Sequence, residues 1–259
     1  MSLPVFRVEP ALLADVGPGA LLTVTGPEAR HAVTVRRLRP GEPLELVDGA
    51  GTRATGELLS GEKDRMQLRV GAVRTEPARR PRLVLAQALA KADRDLLAVE
   101  TATELGVDAV VPWQAERCVV RWRAERAARS HEKWASAVAA AAKQSRRAAW
   151  PEVAPLAGTA DLAGLLREPG TLGLVLHETA DAFLAGLPER SGAPWARAER
   201  IVLVVGPEGG IAPGELEVLT GAGAQAVRLG PEVLRSSTAG PAALAVLSAS
   251  LGRWAPPAA

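Results

Sequence analysis

The chain has 259 residues, 47% of them hydrophobic, with one cysteine, three histidines and a net charge of +2. A single cysteine, Cys118, excludes an internal disulfide and a cysteine-based zinc site, and the scattered histidines give no ligand spacing, so no metal is expected. No run approaches the roughly 20 uncharged apolar residues of a membrane span, and Met1 to Arg7 lacks the apolar stretch of a signal peptide; the expectation is a cytoplasmic protein without a membrane partner.

Residues 1–72 read as short strands and turns. Pro27 suits a first helical turn that runs through Val33. Leu44 to Val47 followed by Asp48-Gly49 signals a hairpin. Thr52 to Leu59 and Met66 to Val73 continue as strands, the second with Met66, Leu68 and Val70 alternating with polar neighbours. This part looks like a small β-barrel. Thr75 to Pro81, rich in proline and charge, is a plausible linker. The expected division is a barrel domain over residues 1–74 and a second domain over 75–259.

The rhythm then changes. Strands are expected at Leu83–Leu89, Ala109–Pro112, Leu172–Leu176, Ile201–Val205 and Ala226–Leu229, and helices at Asp93–Leu105, Glu132–Gln144, Glu215–Leu219 and Ala242–Leu251. Alternation of this kind implies an α/β domain with a mostly parallel sheet. In such sheets ligands bind beyond the carboxyl ends of the strands. Three strand ends stand out: Leu176-His177-Glu178; Gly206-Pro207-Glu208-Gly209-Gly210; and Leu229-Gly230 through Leu234, Arg235, Thr238 and Ala239. They match neither the Walker loop nor GxGxxG, and a backbone-rich pocket with one carboxylate suits a nucleoside ligand.

Charge is unevenly spread. Residues 116–150 hold nine basic and three acidic side chains, whereas residues 151–259 hold seven and eleven. The basic window is either a footprint for a polyanion or a solvated helical face. A second cluster, Arg7, Arg36 and Arg37, lies in the barrel region.

These residues resemble the RsmE-type rRNA methyltransferases of the SPOUT superfamily. The resemblance rests on Val205 to Gly210, Glu215, Leu229-Gly230, Leu234-Arg235 and Thr238-Ala239; on Lys91-Ala92-Asp93, Ala102 to Val107, Glu116-Arg117 and Gln144-Ser145-Arg146; and on Arg7, His31, Val35-Arg36 and Asp48-Gly49. It implies a PUA-like RNA-binding barrel followed by a trefoil-knotted parallel-sheet domain that binds S-adenosyl-L-methionine and forms a homodimer. It also implies methylation of a uridine N3 in small-subunit ribosomal RNA. The cofactor would sit against Leu176, His177, Glu178, Gly206, Pro207, Glu208, Gly209, Gly210, Leu229, Gly230, Leu234, Thr238 and Ala239. Arg235, with Arg7 second, is the candidate catalytic group, and Arg7, His31, Arg36, Arg37, Arg117, Gln144, Arg146 and Arg147 are candidate RNA contacts. His177 or Glu178 as a general base is a weaker candidate, and His131 is expected to be exposed. Leu244, Leu247 and Leu251 face either a dimer partner or the monomer core.

Two departures from the family pattern each delete a carboxylate. Ser236-Ser237 replace a Thr-Glu pair, and Lys143 replaces a glutamate. A ribose 2′-O methyltransferase of the same superfamily and a non-catalytic RNA-binding protein therefore remain alternatives. An ordinary Rossmann enzyme requires the GxGxxG that is absent.

Overall fold

The computed structural model describes residues 3–187 and 197–255, without the side chain of Ala124. The chain forms two compact units, one of Met1–Ala78 with Ala142–Trp150, the other of Arg79–Ala141 with Pro151–Ala259.

The first unit is a five-stranded sheet, β1 (Val5–Arg7), β2 (Leu21–Thr25), β3 (Pro43–Val47), β4 (Thr52–Glu62) and β5 (Arg65–Thr75), in the order β1-β3-β4-β5-β2. The expected Asp48-Gly49 turn joins β3 to β4: the Asp48 carboxylate accepts the amides of Ala50 (2.7 Å) and Thr52 (2.9 Å), and Gly49 supplies φ 78°. Strands β4 and β5 are long and shift register after Thr55 and Leu58, as bulges that curl a sheet do. Gly56 is required by close approach, since a Cβ there would stand 2.6 Å from the Arg69 carbonyl. The alternation read in β5 is real: Met66, Leu68 and Val70 are buried with Phe6, Leu44, Leu46 and Leu58. Two short helices, α1 (Pro10–Leu13) and α2 (Pro27–Arg30), complete the unit, the latter continuing as a π turn over His31–Val35.

The second unit holds six parallel strands, β6 (Arg82–Ala88), β7 (Ala109–Trp113), β8 (Glu152–Val153), β9 (Thr171–Leu176), β10 (Arg200–Val205) and β11 (Gln225–Val227), in the order β11-β9-β10-β6-β7-β8. The continuous apolar run of β10 is central and buried, as strands covered on both faces are. The helices are α3 (Arg94–Glu104), α4 (Ala124–Gln144), α5 (Thr159–Arg167), α6 (Pro213–Gly221) and α7 (Ser236–Ser250). From the edge strand β11 the chain returns to the middle of the sheet, where α7 packs on α3, β6 and β10. Gly240 permits that contact, since a Cβ there would lie 2.9 Å from Leu85 Cδ1. This arrangement is SPOUT-like.

Several expectations need correction. Helix α4 begins at Ala124, eight residues earlier than the sequence pattern suggests, because its first two turns are solvated and carry little apolar periodicity. Helix α7 begins before Pro241, not after it; a proline here forfeits one backbone bond and the helix continues. Leu244 and Leu247 are fully buried in their own chain and Leu251 packs against the same core, so none of the three is a free interface residue. Helices α1 and α5 and the two-residue strand β8 lay below what periodicity reveals.

Candidate functional site

The parallel register brings the three unusual strand ends to one edge. Val205 of β10 pairs with Leu176 of β9, and Leu176 pairs with Val227 of β11. Neighbouring strands lie about 4.8 Å apart, so the segments that follow leave the sheet side by side. Leu176, His177, Glu178, Leu229, Gly230, Leu234 and Ala239 line one cleft together with Arg228. Gly206 to Gly210 and Thr238 do not line it. His177 is anchored by its amide to the Val227 carbonyl at 2.9 Å, and its Nδ1 lies 2.9 Å from the Thr179 hydroxyl. Arg228 stacks on Phe183, with its guanidinium carbon 4.2 Å from the ring centre, while its buried Nε has no acceptor. A buried donor left open is costly unless something fills the role, so the cleft suits a ligand that carries acceptors.

The 206–210 loop is held from outside rather than from within the cleft. Gly210 takes φ 74° and donates to the Pro207 carbonyl. Arg117 Nη1 donates to the Gly209 carbonyl at 3.2 Å, and a Cβ on Gly209 would stand 3.3 Å from Arg117 Cβ. A bulky residue at 209 would therefore press on Arg117. Arg117 itself, expected on RNA, braces this loop. Glu208 Oε1 accepts the Lys91 amide (3.2 Å) and Arg94 Nη1 (3.4 Å), tying the loop to the start of α3.

Sequence reasoning missed the role of Glu215. It is buried, and its Oε1 accepts the Glu116 amide (2.9 Å) and the Thr159 hydroxyl (2.6 Å), while Oε2 faces the Ala212 amide at 3.4 Å. One carboxylate thus fastens the β7 exit, the start of α5 and the start of α6. The available signal was Ala212-x-x-Glu215 ahead of a helix, a capping pattern whose long-range partners no local rule reveals.

Arg235 stands at the N-cap of α7. Its carbonyl accepts the amides of Thr238 and Ala239, and its exposed guanidinium makes no hydrogen bond or ion pair among the described residues. Beside it Ser236 and Ser237 are buried, and the Ser236 hydroxyl has no partner.

In the first unit, Arg7 lies 4.4 Å over the Trp150 ring, and a Cβ on Gly49 would come within 3.3 Å of Arg7 Nε. Its amide donates to Glu28 at 3.2 Å. His31 packs edge-on against Phe6, and burial, then the Lys143 charge, holds its pKa below the usual value. Arg36, Arg37, Gln144 and Arg146 are exposed, but Arg147 is half-buried and shapes a turn: its Nε donates to the Ala149 carbonyl and its own carbonyl accepts Trp150 Nε1. In the second unit His131 is half-buried rather than exposed, its Nε2 lying 3.1 Å from the carbonyls of Val153 and Ala154.

Lys143 explains its own departure. Its ammonium meets the Glu28 carboxylate at 2.7 Å. Lys143→Glu, which restores the usual acid, would oppose two carboxylates. The pair is partly exposed, so the expected loss is only about 1 kcal/mol. Amide exchange should quicken at Ala148 to Trp150 and stay unchanged in β10; adding Glu28→Lys should reverse it. Equal exchange in wild type and single variant would show that the pair contributes nothing.

Residues 77–248 match the RNA methyltransferase domain family, and residues 24–71 match the RNA methyltransferase PUA domain family. A ribosomal RNA small subunit methyltransferase E of Mycobacterium bovis is 44% identical over 239 residues, 91% of this chain and 89% of that protein. The chain belongs to the ribosomal RNA small subunit methyltransferase E family. Its Bacillus subtilis member is 29% identical over 87% of this chain and 89% of its own length. A crystal structure of the Neisseria gonorrhoeae member, bound to S-adenosyl methionine, superposes with a TM-score of 0.80 at 30% identity, over 96% of this chain and 98% of that one. Among the described residues no helix is long and apolar enough to cross a membrane.

Proposed function

We propose that this chain methylates N3 of a uridine in 16S ribosomal RNA, taking the methyl group from S-adenosyl-L-methionine. The observation that carries this reading is the shared sheet edge from which three turn-rich segments leave, with an unpaired guanidinium, Arg235, at the third. Residues 1–74 would bind RNA and residues 75–259 carry the transfer. The cofactor would rest on Leu176 to Glu178, Gly206 to Gly210 and Leu229 to Ala239, where Arg228 Nε and the Ser236 hydroxyl are buried donors with room for an acceptor. When bound, it supplies a methyl group already activated on a sulfonium.

The protein's share is alignment and charge. Uridine N3 carries a proton that must leave as the methyl arrives, so negative charge develops on the uracil oxygens. A positioned guanidinium stabilises that charge most where water is excluded. Arg235 is the group for this, and Arg7, stacked on Trp150, is the second candidate. Such a stacked guanidinium also offers a surface for an RNA base. The family resemblance further supports a homodimer, which a mass from light scattering at micromolar concentration tests.

Mass mapping of 16S RNA from cells lacking the gene decides the reaction: one methyl must vanish from one uridine and return with the gene. A missing methyl on a ribose would establish the 2′-O alternative. RNA contact is tested separately with the exposed Arg36, Arg37 and Arg146. Each phosphate contact adds roughly −0.7 to the log–log salt slope on single strands. Alanine at all three is expected to weaken RNA binding and flatten the slope by up to about 2. A slope equal to wild type would mean that these arginines form only a solvated face.

A further inference from the structure

A second cavity, of about 180 Å3, lies in the second unit, away from the three segments above. It too lies beyond the carboxyl ends of strands, between the segment that follows β6, the segment that follows β7, and α4. Its walls include Asp95, Trp122, Ser130, Lys133 and Trp134. The two indoles meet edge to face, with ring centres 5.7 Å apart. Asp95 is only 6% exposed. Its Oδ1 accepts the Leu96 amide at 2.9 Å, and no cation pairs with it among the described residues. Burial pushes its carboxyl up, against backbone hydrogen bonds that pull it down. A carboxyl kept dry, beside aromatic walls and open to the outside, is expensive to keep unless it has a polar partner.

Size and charge narrow the choice of partner. At about 30 Å3 per water the cavity equals roughly six waters, too little for a nucleoside and enough for one ring. Lys133 stands at its edge, and Arg126 and Arg129 precede it on α4 at the spacing of one helix face, all exposed. That is a phosphate-facing surface leading to an aromatic, acid-lined hole. Single-stranded RNA is read in this way, with bases stacked on aromatic rings and hydrogen-bonded along their edges.

We propose that this cavity receives one pyrimidine base of the RNA substrate, with Asp95 bonding its Watson–Crick edge and the tryptophan walls enclosing the ring. The proposal rests on the reading of the chain as an RNA-modifying enzyme, and it adds a base-reading site distinct from the cofactor cleft. It needs no covalent step. Asp95 accepts an N–H when ionised and donates its own proton when neutral, so both uracil and cytosine have an edge it can match.

The test uses the full chain with 15N-labelled tryptophan. UMP, CMP, AMP and GMP are titrated in turn while the indole signals of Trp122 and Trp134 are followed, and S-adenosyl-L-methionine affinity is measured separately by calorimetry. UMP or CMP should shift both signals saturably, with AMP and GMP at least tenfold weaker. Asp95→Asn should weaken the pyrimidine response at least tenfold. Ser130→Leu, which narrows the cavity from a half-buried position, should do the same and decides the matter if the first variant does not fold. Both variants should bind S-adenosyl-L-methionine like wild type. Indole signals unmoved by all four nucleotides, purine preference, or an unchanged response in a folded variant would overturn the proposal. Loss of cofactor binding in the wild-type chain would instead count against the proposed function and leave the nucleotide result readable.

Discussion

Replacing Arg235 by alanine is expected to lower the rate of methyl transfer by about 10²–10³, the range for removing one preorganised donor from a transition state that gains charge. Cofactor affinity should change little, because the guanidinium is exposed and bonded to nothing among the described residues, while the backbone of Arg235 does the capping of α7. That separation makes the experiment decisive. Alanine keeps the carbonyl that accepts the Thr238 and Ala239 amides, so the loop stays as it is. Lysine should restore part of the rate, since it keeps the charge and loses the planar fork. Single-turnover rates on 16S RNA, with calorimetry of the cofactor, check both halves. A folded Arg235→Ala enzyme with wild-type turnover would remove Arg235 from the chemistry and leave Arg7 as the first candidate.

Glu215→Ala should have the largest effect on stability, about 3 kcal/mol, because it strips an acceptor from buried donors and each orphaned group costs about 1–3 kcal/mol. The amides of Glu116 and Ala212 and the hydroxyl of Thr159 all lose their partner at once. For a domain of this size each kcal/mol corresponds to roughly 2–4 °C, so the melting temperature should fall by about 10 °C. Glu215→Gln keeps one oxygen and should lose less. The variant should also bind the cofactor more weakly, since the carboxylate fastens the end of the 206–212 segment. A calorimetric melt within about 1 °C of wild type would mean that water replaces the carboxylate without loss.

What the sequence made legible is what local chemistry encodes. The uninterrupted apolar run of β10, the Met66-Leu68-Val70 alternation and the Asp48-Gly49 turn each state their own structure. The three strand ends were readable for the same reason: glycine and proline after an apolar run leave few options. The bracing of those segments was not readable. Gly209 could be seen as a residue needing space, yet the neighbour that takes the space is Arg117, which lies far away in the chain. Arg117 and Arg147 counted as surface charge in any tally along the chain, and both are spent on backbone carbonyls. Lys143 looked like a lost acid until Glu28 was found beside it. Charge that is matched in space looks unmatched in sequence.

Ala142 to Trp150 complete the first unit although they are encoded after much of the second. Ala148 fills the gap beside Val5 and Val47, and the Trp150 amide donates to the Gly49 carbonyl at 2.9 Å. Synthesis runs from the amino end, and domains generally fold as they emerge. Here the barrel cannot close its hydrophobic surface when Ala78 appears; it must wait for Trp150 to clear the ribosome. A nascent chain stalled between those two points should remain protease-sensitive in β1 and β3, and a gene cut at the linker should yield a sticky fragment rather than a working module.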